Sequence, residues 1–188
     1  MVLSKETKNV LFLIDMQNDF ITGSLANSEA EKEMPAIIDL IKDTDWSEFI
    51  ITKDTHKDDY MQSREGGDLP VPHCFKDTEG WDLYPGVLEA VKESCDKKGS
   101  SLEIFDKPTF GSLELGNTLR KKFGDGKGVT FYFAGFCTDI CVISNVCIAR
   151  AACPEAVITV LKDYVAGVTP ESNETALKAM AGFQTKIV

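Results

Sequence analysis

Val10-Leu11-Phe12-Leu13-Ile14-Asp15-Met16 sets the architecture. Five apolar residues in an unbroken run, closed by a carboxylate, read as a strand buried on both faces of a parallel sheet, because a strand with one wet face alternates polar and apolar side chains. Comparable runs recur at Phe49 to Thr52, Leu102 to Phe105, Val129 to Ala134, Ala156 to Leu161 and Thr185 to Val188. Between them, helical patterns cover Glu29 to Ile41, Val87 to Lys97, Leu113 to Phe123, Asp139 to Ala152 and Glu171 to Met180, the last with Thr169 or Ser172 as its cap. Alternating strands and helices call for right-handed crossovers. The chain is therefore predicted to be an α/β protein, a Rossmann-like three-layer α/β/α sandwich with a mostly parallel six-stranded sheet. Residues 1–188 are expected to form one domain, since the length suits one and no repeat, low-complexity stretch or linker divides it.

Composition narrows the function classes. The 43% hydrophobic and 27% charged fractions are those of a soluble globular protein, and no run approaches the roughly 18 apolar residues that a membrane span needs. Met1 to Asn9 carries two lysines and a glutamate without an apolar core, so no export signal is expected and the protein is expected in the cytoplasm. Thirty acidic against twenty basic side chains give a net charge of -10, which repels nucleic acid and anionic membrane surfaces; neither is expected as a partner. The six cysteines, Cys74, Cys95, Cys137, Cys141, Cys147 and Cys153, follow no disulfide framework and are expected as reduced thiols. Lys57 to Tyr84 is long, charged and rich in Gly and Pro, the kind of segment that carries function.

In open α/β sheets the ligand sits beyond the carboxyl ends of the strands. Asp15 ends the first strand; Asp54 and His56 are expected to follow the second, Lys107 the third, and Cys137 to Cys141 the fourth. Gly135-Phe136-Cys137-Thr138-Asp139-Ile140-Cys141-Val142 closes a strand and opens a helix, which puts Cys141 in the first helical turn. A helix N-terminus lowers a thiol pKa and offers N–H groups to a developing oxyanion. Lys107 could stabilise the thiolate, and Asp15 could take its proton and pass it to a leaving amine. Each residue alone has an ordinary reading: Cys141 as a small buried hydrophobe, Asp15 as a helix cap, Lys107 as a surface charge before Pro108. Reactive types gathered at the ends of separate strands favour chemistry.

The two histidines of the chain, His56 and His73, suggest a metal site. Alternate residues of an extended segment point alike, so Asp54 and His56 share a side; His73 could be the third ligand and Glu65 a fourth. One carboxylate and two imidazoles with open positions suit zinc, iron or manganese. The ordinary alternative, which outweighs a lone Asp-x-His, makes Asp54 a turn residue and the histidines structural. Phe20 and Trp81 could wall a flat ring, although aromatic residues near a cleft commonly just pack.

Leu13-Ile14-Asp15-Met16-Gln17-Asn18-Asp19-Phe20, Lys107-Pro108-Thr109-Phe110-Gly111-Ser112, Gly135 to Val142, Asp163-Tyr164-Val165-Ala166-Gly167 and Ala176-Leu177, in that order, resemble the isochorismatase-like cysteine hydrolases over nearly the whole chain. The resemblance implies a catalytic triad of Asp15, Lys107 and Cys141, a cis peptide between Phe136 and Cys137, and an oxyanion hole of the Cys137 and Cys141 backbone amides. Cys137 stands where members of the family often carry alanine, and a backbone role is assigned to it. Asp54, His56 and His73 resemble the metal ligands of the nicotinamidase (pyrazinamidase/nicotinamidase) branch, whose metal binds the pyridine nitrogen of the substrate; isochorismatases and carbamoyl-amidases do not share that set. Lys57 to Pro72 departs from the branch, with Asp58, Asp59 and Glu65 where many nicotinamidases have further histidines and aromatic residues. The resemblance thus implies a cysteine amidohydrolase that converts nicotinamide to nicotinic acid and ammonia through a thioester, with one divalent metal, zinc first, a small-molecule amide as substrate, a place in NAD salvage and a homo-oligomeric assembly. The alternatives are another hydrolase of the family acting without metal on a different amide or a vinyl ether, a noncatalytic binding protein on the same fold, and a redox pair of Cys137 and Cys141.

Overall fold

A computed structural model describes Leu3 and residues 6–188; residues 1, 2, 4 and 5, part of the segment read for an export signal, lie outside the described residues. Six strands, β1 (Lys8–Ile14), β2 (Glu48–Asp54), β3 (Ser101–Lys107), β4 (Val129–Phe136), β5 (Val157–Ala166) and β6 (Lys186–Ile187), form one sheet in the order β3-β2-β1-β4-β5-β6, with every neighbouring pair parallel. The helices are α1 (Asn18–Ile21), α2 (Ser28–Asp43), α3 (Arg64–Asp68), α4 (Val87–Lys98), α5 (Leu113–Phe123), α6 (Ile143–Ala152) and α7 (Pro170–Gly182). The chain lays β2 and β3 to one side of β1, then crosses to β4 on the other, so the order reverses between β1 and β4. At such a switch point the loops diverge and leave a crevice.

The alternation of β1 fills both layers. Val10, Phe12 and Ile14 join one core with Phe131, Phe133 and residues of α5, α6 and α7, while Leu11 and Leu13 join the other with Phe49, Ile51, Phe136 and residues of α2 and α4. Phe12 stacks on Phe133 with ring centroids 4.3 Å apart. Where β1 and β4 run side by side, a Cβ on Gly135 would lie 2.1 Å from the Ile14 carbonyl oxygen, and its φ of 128° is open only to glycine. This close approach brings the end of β1 against the turn that follows β4.

The three-layer prediction holds, and the element ends differ in instructive ways. β2 and β3 run past their apolar cores to Asp54 and Lys107, which are the last residues of the strands and lie opposite each other in register, rather than in the loops beyond. Their polar side chains find partners over the sheet, so pairing continues. β5 extends to Ala166 through a bulge, with Phe133 opposite Val160 but Gly135 opposite Val165. The helix predicted from Asp139 begins instead as a wide turn over Thr138–Val142, in which the Val142 N–H bonds the Cys137 carbonyl five residues back at 3.1 Å, and α6 follows. Thr169, not Ser172, caps α7, accepting from the Ser172 N–H at 3.1 Å. The Lys57 to Tyr84 segment is tied down by bonds from the Tyr60 hydroxyl to the Leu69 carbonyl (2.9 Å) and from the Cys74 N–H to Asp19 Oδ2 (2.7 Å).

Candidate active site

Asp15, Lys107 and Cys141 meet beyond the carboxyl ends of β1, β3 and β4. Asp15 follows β1 with a left-handed φ of 49° and is fully buried. Its N–H bonds the Thr52 carbonyl (3.1 Å), its Oδ1 accepts from the Thr52 hydroxyl (2.7 Å), and its Oδ2 lies 2.6 Å from Lys107 Nζ. Lys107 reaches this point from β3, across the position of β2, with no exposure at all. A lysine so placed needs compensating charge. Its Nζ is also 3.4 Å from Asp54 Oδ1 and 3.5 Å from Cys141 Sγ.

Electrostatics follow from this packing. Burial pushes the Asp15 carboxyl above its ordinary value, while Lys107 and the Thr52 hydroxyl pull it down. Burial lowers the Lys107 ammonium, but the carboxylates of Asp15 and Asp54 and the Cys141 sulfur outweigh that and keep it charged. Burial raises the Cys141 thiol well above its usual range; Lys107 opposes, and the hydrogen bond to Asp15 adds to the rise. The packing thus brings together a buried thiol, a carboxyl able to accept its proton, and an ammonium 2.6 Å from the carboxyl and 3.5 Å from the sulfur. Such an arrangement can deliver a thiolate when a substrate carbon arrives.

The peptide between Phe136 and Cys137 is cis, and the Cys137 carbonyl accepts from Ile140 (3.2 Å) and Val142 (3.1 Å), on either side of the Cys141 N–H. Cys137 packs into the Leu13 and Phe136 layer whereas Cys141 belongs to the Val146 layer. The two side chains thus pack into different cores. All six cysteines are free.

The second cluster adjoins the first. One ligand-type atom each from Asp54, His56, Glu65 and His73 lie within 4.8 Å of one another. Asp54 Oδ2 is 2.9 Å from His56 Nε2 and 3.4 Å from His73 Nε2, and Glu65 Oε1 is 3.6 and 4.0 Å from the same nitrogens. His73 Nδ1 donates to the Val71 carbonyl at 2.8 Å, which turns Nε2 toward the carboxylates. His56 Nε2 is buried and makes no well-formed hydrogen bond of its own. Burial would raise Asp54, yet the two imidazoles and Lys107 hold it well below the carboxylate range; burial and Asp54 raise Glu65. Two carboxylates and two imidazole nitrogens converging on one point fit a divalent cation better than they fit one another.

Phe20 lies edge-on to His73, with centroids 5.6 Å apart. The Trp81 indole N–H bonds the hydroxyl of Thr55, between Asp54 and His56, at 2.8 Å, and Lys53 lies over its ring. Three buried residues that the sequence reading left without a role support the site. Thr52 holds Asp15; Gln17 bonds the main chain of Asp54; Asn145 donates to the Cys141 carbonyl (2.8 Å) and the Phe110 carbonyl (3.0 Å) and accepts from the Ser112 N–H (3.0 Å). The available signal was position alone: Thr52 beside Asp54, Gln17 two residues after Asp15, Asn145 one turn after Cys141.

Known proteins resemble the chain at two levels. A protein of Bacillus subtilis (strain 168), described as the uncharacterized isochorismatase family protein PncA, is 29% identical over 141 residues, 72% of this chain and 75% of that protein. Among solved structures, the nicotinamidase PncA of Bacillus subtilis superposes with a TM-score of 0.78 at 25% identity, covering 96% of this chain and 99% of that one. The pyrazinamidase of Pyrococcus horikoshii in complex with zinc gives 0.71 at 27% identity, covering 96% and 98%. The Isochorismatase domain family matches residues 9–188, all of the sheet but the first residue of β1 together with both helical layers, and the chain therefore belongs to the isochorismatase family of hydrolytic enzymes.

Proposed function

We propose that the protein is a cysteine amidohydrolase of nicotinamidase type, converting nicotinamide to nicotinic acid and ammonia. The observation that carries this reading is Asp54, whose Oδ1 faces Lys107 of the thiol cluster while its Oδ2 faces the two imidazoles. A ring held at the second cluster would present a carboxamide to the first. The likeness to a nicotinamidase and to a zinc-bound pyrazinamidase supports the same substrate class. Asp54, His56, His73 and Glu65 would hold a divalent cation, zinc by their nitrogen and oxygen donors, and its chemistry there is Lewis-acid capture of the pyridine nitrogen.

As the Cys141 sulfur bonds the carboxamide carbon, the thiol proton passes to Asp15 and the carbonyl electrons move to oxygen, where the Cys137 and Cys141 N–H groups receive them. Asp15 returns the proton to the amine, the C–N bond breaks, ammonia leaves and a thioester remains. Water then gives a proton to Asp15 and attacks the thioester, releasing the acid and restoring the thiol. Lys107 keeps its charge throughout and offsets whichever of Asp15 or the sulfur is anionic. Cytoplasmic salvage of the pyridine ring and assembly of several copies belong to the same proposal.

Ammonia release from nicotinamide tests it. Cys141→Ala is expected to lose about 10⁴-fold or more in kcat with its circular dichroism unchanged. Retained turnover in that variant refutes the mechanism; absence of release by the intact protein refutes the substrate.

A further inference from the structure

Gln17 is fully buried, and every polar atom of its side-chain amide meets the main chain of another segment. Its Oε1 accepts from the Asp54 N–H at 2.7 Å, and its Nε2 donates to the Asp54 carbonyl at 2.8 Å and the Trp81 carbonyl at 2.9 Å. The β1–β2 ladder ends with Ile14 opposite Thr52, because β1 turns away at Asp15 while β2 continues to Asp54. The side chain of Gln17 supplies the rung that the β1 backbone no longer provides: one donor and one acceptor, facing the N–H and C=O of a single strand residue.

That residue is the one whose carboxylate is divided between the two clusters. Among the described residues, Asp54 alone joins them, with Oδ1 at 3.4 Å from Lys107 Nζ and Oδ2 at 2.9 and 3.4 Å from the Nε2 atoms of His56 and His73. A small rotation of its backbone would withdraw one oxygen or the other. We infer that Gln17 is the positioning residue that fixes Asp54 so that one carboxylate serves both the metal cluster and Lys107. The inference rests on the metal reading given above. Only a carboxamide can fill the place: glutamate lacks the donor for the Asp54 and Trp81 carbonyls, and methionine lacks both partners at similar volume. Groups that orient a ligand without touching the metal typically govern about 10- to 100-fold in metal affinity.

The test compares zinc affinity, by competition with a chromophoric chelator, in the intact chain and in Gln17→Met, Gln17→Glu and Trp46→Phe. The last removes a buried bond from the indole N–H to the Leu40 carbonyl, at the far end of β2, and controls for general loosening. Both Gln17 variants are expected to bind zinc about 10- to 100-fold more weakly, with Trp46→Phe within about twofold of the parent. Parental affinity in the Gln17 variants overturns the inference and leaves the metal reading standing; no zinc binding by the parent overturns the metal reading and this inference with it. A second measurement needs no variant. Linkage is reciprocal, so a clamp that favours zinc must itself be tightened by zinc by the same factor. Exchange of the Gln17 side-chain amide protons, followed by NMR, is expected to slow at least tenfold on zinc addition, and unchanged exchange overturns the inference.

Discussion

Asp15 is held between opposing influences: burial raises its pKa, while the Lys107 ammonium and the Thr52 hydroxyl lower it. The proton-accepting role proposed for it requires the ionised form. Removing the hydroxyl with Thr52→Val, at nearly constant volume, takes away a hydrogen bond made to the carboxylate and so raises the Asp15 pKa further. Hydrogen bonds to charged groups contribute about 1.5–3 kcal/mol and one pKa unit corresponds to about 1.4 kcal/mol, so the acid limb of kcat/KM should move up by about one to two pH units. The groups around Asp15, namely Lys107, Asp54 and Cys141, stay in place and set the background for both proteins. A pH–rate profile of the two proteins settles this: coincident acid limbs would show that Asp15 is not the group whose ionisation the limb reports.

Between elements, the site depends on how the turn after β4 is locked to the segment after β3. Asn145, fully buried in α6, makes that lock with three bonds, to the Cys141 carbonyl, the Phe110 carbonyl and the Ser112 N–H. Asn145→Leu leaves those main-chain groups without partners, and each buried orphan costs about 1–3 kcal/mol. A loss of about 3 kcal/mol or more in urea unfolding is therefore expected, with kcat falling more than KM rises, because the thiol and Lys107 drift relative to each other. A stability loss with an unchanged kcat would confine Asn145 to the scaffold. The same lock shows what the sequence could and could not reveal. Asp15, Lys107, Cys141, Asp54 and His56 announce themselves by side-chain type at or beyond strand ends, and His73 as the other of the chain's two histidines, so the residues that the structure gathers were legible before it. Gln17 and Asn145 act through main-chain atoms 37 and 33 positions distant, and no local pattern encodes which carbonyl a buried amide will meet. Strand ends were misjudged for a related reason: Asp54 and Lys107 stay in their strands because each is neutralised across the sheet, a pairing invisible to a reading of apolar runs.

On the scale of the molecule, the cluster of Asp54, His56, Glu65 and His73 joins the sheet to the long segment that crosses its carboxyl end. Asp54 ends β2 and His56 follows it, whereas Glu65 lies in α3 and His73 further along the same segment. Without a cation, two carboxylates face each other in a chain of net charge -10, and Asp54 raises Glu65 by direct repulsion. A bound divalent cation replaces that repulsion with attraction to all four groups, so it should stabilise the fold as a whole and not merely the site. A ligand at 1,000 times its Kd adds about 4 kcal/mol, and for a chain of this length each kcal/mol moves Tm by about 2–4 °C, so zinc returned to chelator-stripped protein should raise Tm by roughly 8–16 °C. His56→Ala combined with His73→Ala removes both nitrogen ligands and should abolish most of that rise, measured from the variant's own stripped Tm, which falls because two buried rings packed on Phe20 and Tyr60 and paired with Asp54 are lost. A Tm indifferent to stripping and return would mean that the four groups are held by their own hydrogen bonds. A full rise in the doubly substituted protein would place the zinc elsewhere, on the free thiols above all, because thiolate is the ligand that competes best with imidazole for this ion.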